Sequence, residues 1–170
     1  MASVKEDVLA ALGALGIHYD LLEHAPVHTM EDCKVAEEAL GGVMPKNLFL
    51  TPRNHASHHL LIARAEAPFR TSRISRQLGV SRLSFATAEE LMGMLRTLPG
   101  AISPMGLLFD RERRVKLAID GTLRAEARLL FHPCVNTATL AVSGADFFER
   151  LLPALGHEAA YVDMQGEGTV

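Results

Sequence analysis

The spacing of hydrophobic positions alternates between helical and strand-like periods along the chain. Helical spacing follows two capping boxes, Ser3–Glu6 and Thr87–Glu90, in which a Ser or Thr lies three residues before a Glu. Helices are therefore predicted over residues 3–16, 29–41, 71–79 (with Thr71 or Ser72 as the cap), 87–99 and 143–155. Short apolar or alternating runs predict strands over residues 17–22, 46–51, 59–63, 83–85, 107–110, 115–119, 128–131 and 138–142.

The order of these elements indicates the fold class. Hairpins outnumber strand–helix–strand units, which favours an α/β fold with a mixed, mostly antiparallel sheet. No internal repeat, low-complexity linker or change of composition divides the chain, so residues 1–170 are predicted to form a single domain.

The composition is that of a globular chain with its own core. Hydrophobic residues make up 48% and charged residues 22% of the 170 positions, which excludes a disordered chain. Two cysteines, Cys33 and Cys134, exclude a disulfide framework of the secreted type. The sequence has no secretory leader pattern and no apolar run of membrane-spanning length, so a cytoplasmic protein without a membrane partner is expected.

The net charge of −3 predicts no partner, but the charge is unevenly distributed. Between positions 64 and 82 the only acid is Glu66, and the arginines in that stretch are Arg64, Arg70, Arg73, Arg76 and Arg82. Such a basic segment on an acidic protein is compatible with a nucleic-acid contact. A solvated face held by salt bridges is the simpler alternative.

Three segments place polar groups beside residues that restrict the backbone. Lys46 begins a predicted strand, where its ammonium could hold a phosphate or polarise a carbonyl, or could simply extend into solvent from the strand end. The loop from Gly100 to Pro104 could present backbone N–H groups to a ligand oxygen, or could only stop a helix. His132 precedes Pro133 and is therefore extended; it could orient a substrate hydroxyl or a water, or close the strand end.

Other catalytic and metal motifs are missing or incomplete. His55, His58 and His59 could bind a metal, but neither a carboxylate nor a cysteine accompanies them in the predicted hairpin turn, so no metal is predicted. Ser103 lacks the surrounding GxSxG pattern of a serine hydrolase. No phosphate-binding loop or dinucleotide fingerprint is present, and no cofactor is expected.

Taken together, four segments of the chain resemble the YbaK/ProRS-insertion family of aminoacyl-tRNA deacylases. They are residues 24–32 (HAPVHTMED), 46–50 (KNLFL), the GxxxP loop 100–104, and His132-Pro133 with Asn136-Thr137. The resemblance extends over about residues 12–152 and is closest to the free-standing alanyl-tRNA(Pro) deacylases of the ProXp-ala or PrdX type. It implies a YbaK-like domain with a barrel-like sheet surrounded by helices. The implied activity is hydrolysis of mischarged Ala-tRNA(Pro) in trans, with tRNA(Pro) as partner and prolyl-tRNA synthetase as a second candidate partner.

The resemblance also implies roles for individual residues. Lys46, Asn47 and His132 would be catalytic: Lys46 would hold the terminal nucleotide or the ester, and the other two would orient the aminoacyl end. Substrate binding is implied for the loop Gly100, Ala101, Ile102, Ser103 and Pro104, for Met30, which would limit the pocket size, and for Asn136. The arginines from Arg64 to Arg82 would contact the acceptor stem. The alternatives are a deacylase of the same fold for Cys-, Ser- or Thr-mischarged tRNA, and a non-catalytic module that binds tRNA or a synthetase.

Overall fold

The computed structural model of the protein describes residues 2–164, and the side chain of Met30 lies outside that description. The helices are α1 Val4–Ala14, α2 Met30–Leu40, α3 Thr71–Leu78, α4 Ala88–Leu95 and α5 Leu152–Leu155. The strands are β1 Asp20–Glu23, β2 Lys46–Pro52, β3 His58–Ala63, β4 Leu83–Phe85, β5 Val115–Asp120, β6 Arg128–Phe131, β7 Ala138–Ser143 and β8 Ala159–Val162. Two 3₁₀ helices, Pro104–Phe109 and Gly121–Ala125, and a π-helical segment, Asp146–Leu151, complete the chain.

Capping boxes start three of the α-helices. Ser3 and Thr87 each accept a hydrogen bond from the backbone of the glutamate three residues later, as the sequence predicts. Thr29 forms the same box with Asp32 at the start of α2. These reciprocal bonds satisfy backbone N–H groups that have no partner inside a helix, and so fix where each helix begins.

The strands form two sheets. One has the order β1-β7-β6 and is antiparallel throughout; the other has the order β4-β2-β3-β5-β8. In the second sheet β2 pairs antiparallel with β3 and β4, whereas β5 pairs parallel with β3 and β8. The mixed, mostly antiparallel arrangement is confirmed, although no closed barrel forms within residues 2–164.

A short bridge joins the two sheets. Val43, just before β2, pairs with Leu129 of β6: Val43 N–H donates to Arg128 O at 3.1 Å, and Leu130 N–H donates to Val43 O at 2.9 Å. This bridge brings the start of β2 beside the end of the three-stranded sheet. The candidate site lies at that junction.

Several boundaries differ from the sequence-based predictions. Residues 107–110, predicted as a strand, belong to the 3₁₀ helix that Pro104 begins, where Ser103 Oγ caps Met105 N–H at 3.1 Å.

The first strand begins at Asp20 rather than at residue 17, and α4 ends at Leu95, before Pro99. Arg70, not Thr71 or Ser72, is the N-cap residue of α3, and the final helix begins as a π-helical segment at Asp146. Strand β8 was not predicted. Its four residues follow the turn that ends the last helix, and they do not alternate clearly between apolar and polar side chains.

The largest cluster of buried hydrophobic residues lies between the sheets and helices α1 and α4. Phe131 and Phe147 stack at its centre with ring centroids 4.9 Å apart, and both are almost fully buried. Strand β3 is the central strand of the five-stranded sheet, and all six of its residues are buried. Among the described residues, none of the helices is long and apolar enough to span a membrane.

Candidate active site

A cleft of about 320 Å³ lies where α2, the start of β2, the loop after α4 and the turn after β6 meet. It opens to solvent beside His28, Thr29 and Gly100, which are exposed. The residues that line it are Val27, His28, Thr29, Cys33, Met44, Pro45, Lys46, Asn47, Leu48, Gly100, Ile102 and His132. The three residues predicted to be catalytic therefore border one cavity, although they are distant in the sequence.

Lys46 is the first residue of β2 and is partly buried. Its ammonium donates a hydrogen bond to the backbone oxygen of Ala67, in the segment between β3 and α3. An ammonium group has three N–H donors, and within residues 2–164 only Ala67 O accepts from this one, so two donors remain for a ligand. The bond to Ala67 fixes a positive charge at the wall of the cleft.

The side-chain oxygen of Asn47 is a buried acceptor without a donor among the described residues. Its Nδ2 lies 3.5 Å from Pro45 O, whereas its Oδ1 is buried and accepts no hydrogen bond from any of residues 2–164. A buried acceptor without a donor costs roughly 1–3 kcal/mol of folding free energy. Such an atom at the wall of a cleft is suited to accept a hydrogen bond from a ligand.

His132 follows β6 and is buried, with 6% of its surface exposed. Its Nδ1 lies 2.9 Å from Ala138 O, and because a carbonyl oxygen only accepts, Nδ1 carries the proton. Burial lowers the pKa of His132; the bond to Ala138 opposes this shift and nearby His24 adds to it. The ring is therefore neutral near pH 7, with its lone pair on Nε2.

Behind His132 lies a second histidine, whose position the sequence did not predict. The rings of His24 and His132 are 6.3 Å apart, edge to face. His24 Nδ1 donates to Ala25 O at 2.8 Å, and its Nε2 lies 2.8 Å from the hydroxyl of buried Thr139. Both ring nitrogens of His24 are thus engaged, which makes it a support for the wall of the cleft.

Helix α2 supplies one side of the cleft. Thr29, the N-cap residue of α2, and Cys33, in the first turn of the helix, both line the cleft. Burial raises the pKa of the Cys33 thiol, with a smaller effect of nearby carboxylates, so the thiol stays neutral and presents a small apolar surface. The spacing of these positions was visible in the sequence, but nothing there indicated which face of α2 meets the cleft.

The loop from Gly100 to Pro104 divides into two parts. Gly100, with a φ of +94°, and Ile102 line the cleft. Ala101, Ser103 and Pro104 are buried and do not line it. They anchor the loop instead: Thr97 Oγ1 donates to Ala101 O at 2.8 Å, and Ser103 and Pro104 begin the 3₁₀ helix.

The two remaining predicted substrate-binding residues lie beside the cleft. Asn136 Nδ2 donates to Val27 O at 3.1 Å and Val27 N–H donates to Asn136 O at 3.2 Å, so Asn136 holds the segment that forms one wall. Met30 is the first residue of α2, but its side chain lies outside the described part of the structure.

Comparison with known proteins assigns the chain to a family. The profile described as an aminoacyl-tRNA editing domain matches residues 24–149, a range that contains every residue of the cleft. The chain belongs to the aminoacyl-tRNA editing domain family.

Relatives of this editing domain have related names. The prolyl-tRNA editing protein ProX of Acetoanaerobium sticklandii is 31% identical over 160 residues, which cover 94% of this chain and 97% of the relative. Prolyl-tRNA synthetase associated domain-containing protein 1 of Danio rerio is 30% identical over 150 residues, or 87% of this chain and 81% of the relative.

Solved structures share the fold of the editing domain. The crystal structure of hypothetical protein APE2540 superposes with a TM-score of 0.72 at 18% identity, covering 92% of this chain and 99% of that one. A candidate trans-editing enzyme for prolyl-tRNA synthetase superposes with a TM-score of 0.71, also at 18% identity, covering 96% of this chain and 98% of that one.

The five arginines between positions 64 and 82 divide into two groups. Arg64 forms an ion pair with Glu126 at 2.6 Å and Arg73 one with Asp163 at 3.0 Å, so both are used within the protein. The other three, which form no ion pair within residues 2–164, are exposed: Arg70, Arg76 and Arg82. Within the 64–82 stretch, these three arginines are the ones that present an uncompensated positive charge to a partner.

Proposed function

We propose that this editing domain hydrolyses mischarged Ala-tRNA(Pro) in trans, releasing alanine and intact tRNA(Pro). The observation that carries the proposal is the buried, unpartnered Asn47 Oδ1 in the same cleft as the Lys46 ammonium and neutral His132. Family membership and the names of the ProX-type relatives support it.

Hydrolysis of the ester requires a water to attack the carbonyl carbon and a group that stabilises the negative charge on the carbonyl oxygen. Water attacks the carbonyl carbon of the alanyl ester, the bond to the ribose oxygen breaks, and the ribose oxygen leaves as a hydroxyl with a proton from the water. Negative charge develops on the carbonyl oxygen in the transition state, and the free N–H donors of Lys46 stabilise it. The protein supplies no covalent nucleophile, and the adjacent ribose hydroxyl of the substrate is a candidate to assist the water.

Asn47 and His132 place the aminoacyl end. The α-ammonium of alanine donates to Asn47 Oδ1, which fulfils the missing hydrogen bond. The lone pair on His132 Nε2 accepts from the water or a ribose hydroxyl. Holding the reacting groups in this geometry lowers the barrier because less orientational freedom is lost in the transition state.

The walls of the cleft select the amino acid by size. Val27, Met44, Cys33 and Ile102 surround the polar groups with apolar surface. A synthetase that accepts proline cannot strongly exclude the smaller alanine, because each missing methylene costs only about 1–3 kcal/mol of binding. A second site too small for the proline ring hydrolyses alanine and spares the correct product.

The exposed arginines provide the tRNA contact. Arg70, Arg76 and Arg82 lie on or beside α3, which follows the segment that contains Ala67, the partner of Lys46. Contacts of these guanidinium groups with phosphates would position the acceptor stem and make binding sensitive to salt. The activity belongs in the cytoplasm, where tRNA is charged, with prolyl-tRNA synthetase as a second candidate partner.

The test separates an enzyme from a binding module. Wild-type protein and Lys46→Ala are incubated with Ala-tRNA(Pro) carrying labelled alanine, and both release of the label and tRNA affinity are measured. The expected result is that the variant binds tRNA within about twofold of wild type but loses at least about 100-fold in rate, the usual scale for removal of one transition-state donor. Wild-type binding without release of alanine would leave only a binding module.

A further inference from the structure

A cluster of two histidines and one glutamate lies at the turn between β2 and β3. His55 Nδ1 lies 2.6 Å and His58 Nε2 lies 2.9 Å from the same oxygen, Oε1 of Glu90. The three atoms lie within 4.8 Å of one another. The sequence separates Glu90 from the histidines by more than 30 positions, so the missing carboxylate that argued against a metal there is supplied by the fold.

We propose that His55, His58 and Glu90 form a binding site for a Zn²⁺-like transition-metal cation. Two imidazole nitrogens and one carboxylate oxygen are a donor set that zinc uses in sites with three protein ligands, whereas Ca²⁺ and Mg²⁺ prefer oxygen alone. His55 is the exposed member, so a water can complete a tetrahedron from the solvent side.

The spacing of the three atoms suits a small cation. Bond lengths of about 2.0–2.2 Å to a tetrahedral Zn²⁺ place its ligand atoms roughly 3.3 Å apart. The two N–O distances of 2.6 and 2.9 Å are shorter than this, so binding moves the carboxylate oxygen outward by about 0.5 Å.

The ligands are held by contacts that leave their donor atoms facing one another. The His58 ring stacks on Phe49 with centroids 5.6 Å apart and an interplanar angle of 26°. The other oxygen of Glu90, Oε2, accepts from Thr87 N–H at 2.7 Å in the capping box of α4. The backbone N–H of His55 donates to Pro52 O at 2.9 Å, which sets the turn. Supporting contacts of this kind orient metal ligands before the metal arrives.

Neighbouring charged groups do not compete for the site. His59 follows His58 along β3, so its side chain points to the opposite face, where its Nε2 lies 2.9 Å from Ser57 Oγ. The Glu90 carboxylate accepts hydrogen bonds from His55 and His58 at Oε1 and from Thr87 N–H at Oε2.

The consequence of binding is a cross-link between two distant parts of the chain. The metal would join the β2–β3 turn to the start of α4 and, because the unfolded chain has no such site, would stabilise the folded state. The cluster lies beyond the end of β2 opposite to Lys46, so its role is structural and separate from ester hydrolysis.

The test uses the full-length protein freed of metal with EDTA. Zn²⁺ is titrated by calorimetry against wild type, His55→Ala, Glu90→Gln and the control His18→Ala, and the Tm of each is measured with and without the metal. Glutamine retains the capping box at position 90 while removing the charge. His18 is a matched control because it is exposed and lies 3.6 Å from a single carboxylate, that of Asp20.

The expected result is one Zn²⁺ per wild-type chain, with a Tm rise of about 5–10 °C at a hundredfold excess over Kd. His55→Ala and Glu90→Gln should each weaken the affinity at least tenfold, and His18→Ala should match wild type. No stoichiometric binding by wild type, or equal binding by all four proteins, would overturn the proposal and leave the cluster as a hydrogen-bonded contact.

Discussion

At the scale of single residues, the site depends on atoms whose hydrogen bonds are missing or already committed. Among the described residues 2–164, Asn47 Oδ1 has no donor and Lys46 uses one of its three donors, while His132 has one nitrogen bonded to Ala138 O. Each of these arrangements costs folding free energy or restricts a side chain, and each becomes useful when an aminoacyl ester occupies the cleft.

Replacement of Asn47 by alanine tests the unpartnered oxygen. Asn47→Ala should lower kcat/KM by about 10- to 100-fold, because the α-ammonium of the substrate loses its acceptor. This factor corresponds to the free energy that one hydrogen bond to a charged group contributes. The free energy of unfolding should stay the same or rise, since an unsatisfied buried acceptor is removed. Deacylation kinetics and urea unfolding measure the two quantities.

Asn136→Ala is the matched control, because Asn136 uses its amide to hold Val27. It should lower the free energy of unfolding by about 1 kcal/mol through loss of that bond. An Asn47→Ala protein that is fully active, or less stable than Asn136→Ala, would contradict the role given to Oδ1.

The pH dependence follows from His132. Since burial holds its pKa below the ordinary value of 6.5, the active neutral ring predominates at pH 7 and becomes protonated only on the acid side of neutrality. The value of kcat/KM should therefore be constant near pH 7 and fall as the pH decreases through the lowered pKa. In His132→Gln the rate should be low and this acid limb absent; a persisting limb would assign it to another group.

The free energy of unfolding should also fall as the pH decreases. His132 and His59 both have folded-state pKa values lowered chiefly by burial, so between 6.5 and those values the unfolded chain binds more protons than the folded one. Their contribution to the free energy of unfolding is complete above pH 6.5 and decreases as the pH falls.

At the scale of elements, local sequence determined the helix starts that carry capping boxes and most of the strands. The Ser3 and Thr87 capping boxes were predictable because the pattern and the bonds lie within four residues. Residues 107–110 were predicted as a strand, since their apolar run is compatible with either structure. The 3₁₀ helix packs closely on α4, since a Cβ on Gly106 would lie 2.7 Å from atoms of Leu95, and no local pattern indicates this tertiary contact.

The junction between the sheets makes an element-scale prediction. Gly42 has a φ of +137°, and a Cβ there would lie 2.7 Å from Leu130 and 2.8 Å from Arg128 O, beside the bridge of Val43. Gly42→Ala should lower the free energy of unfolding by about 2–4 kcal/mol through backbone strain and the clash together. Thermal or urea unfolding measures this loss.

Gly41→Ala provides the control. Gly41 also has a positive φ, of +72°, but no atom lies within 4 Å of the position of its Cβ, so only the backbone cost of about 1 kcal/mol is expected. Equal losses in the two variants would show that the bridge at Val43 does not limit the packing.

At the scale of the whole molecule, the sequence indicated the residues of the cleft but not how they meet. Lys46, Asn47 and His132 were identified through the resemblance of short segments to a known family. Their convergence depends on the pairing of Val43 with Leu129, a contact between positions far apart in the chain that no local pattern encodes. The same limit applies to the arginines, because only the fold pairs Arg64 with Glu126 and Arg73 with Asp163.

This division of the arginines predicts the salt dependence of tRNA binding. A variant with Arg70, Arg76 and Arg82 all changed to alanine should bind tRNA more weakly, and its slope of log affinity against log salt should fall by up to about 3, roughly one for each lost phosphate contact. Arg73→Ala should leave the slope unchanged and lower stability by up to about 1 kcal/mol, because its guanidinium is engaged by Asp163. Equal slopes for wild type and the triple variant would remove α3 from the tRNA interface.

The most direct test of the proposed function is the kcat/KM of wild-type protein on five substrates. These are tRNA(Pro) carrying alanine, cysteine, serine or proline, and tRNA(Ala) carrying alanine. Ala-tRNA(Pro) should be hydrolysed at least about tenfold faster than the other three tRNA(Pro) species, because the cleft excludes larger side chains. Ala-tRNA(Ala) measures whether the tRNA body is also read. Preference for Cys- or Ser-tRNA(Pro) would change the assigned substrate while keeping the chemistry. Hydrolysis of Pro-tRNA(Pro) at the rate of Ala-tRNA(Pro), or of none of the five, would contradict the proposal.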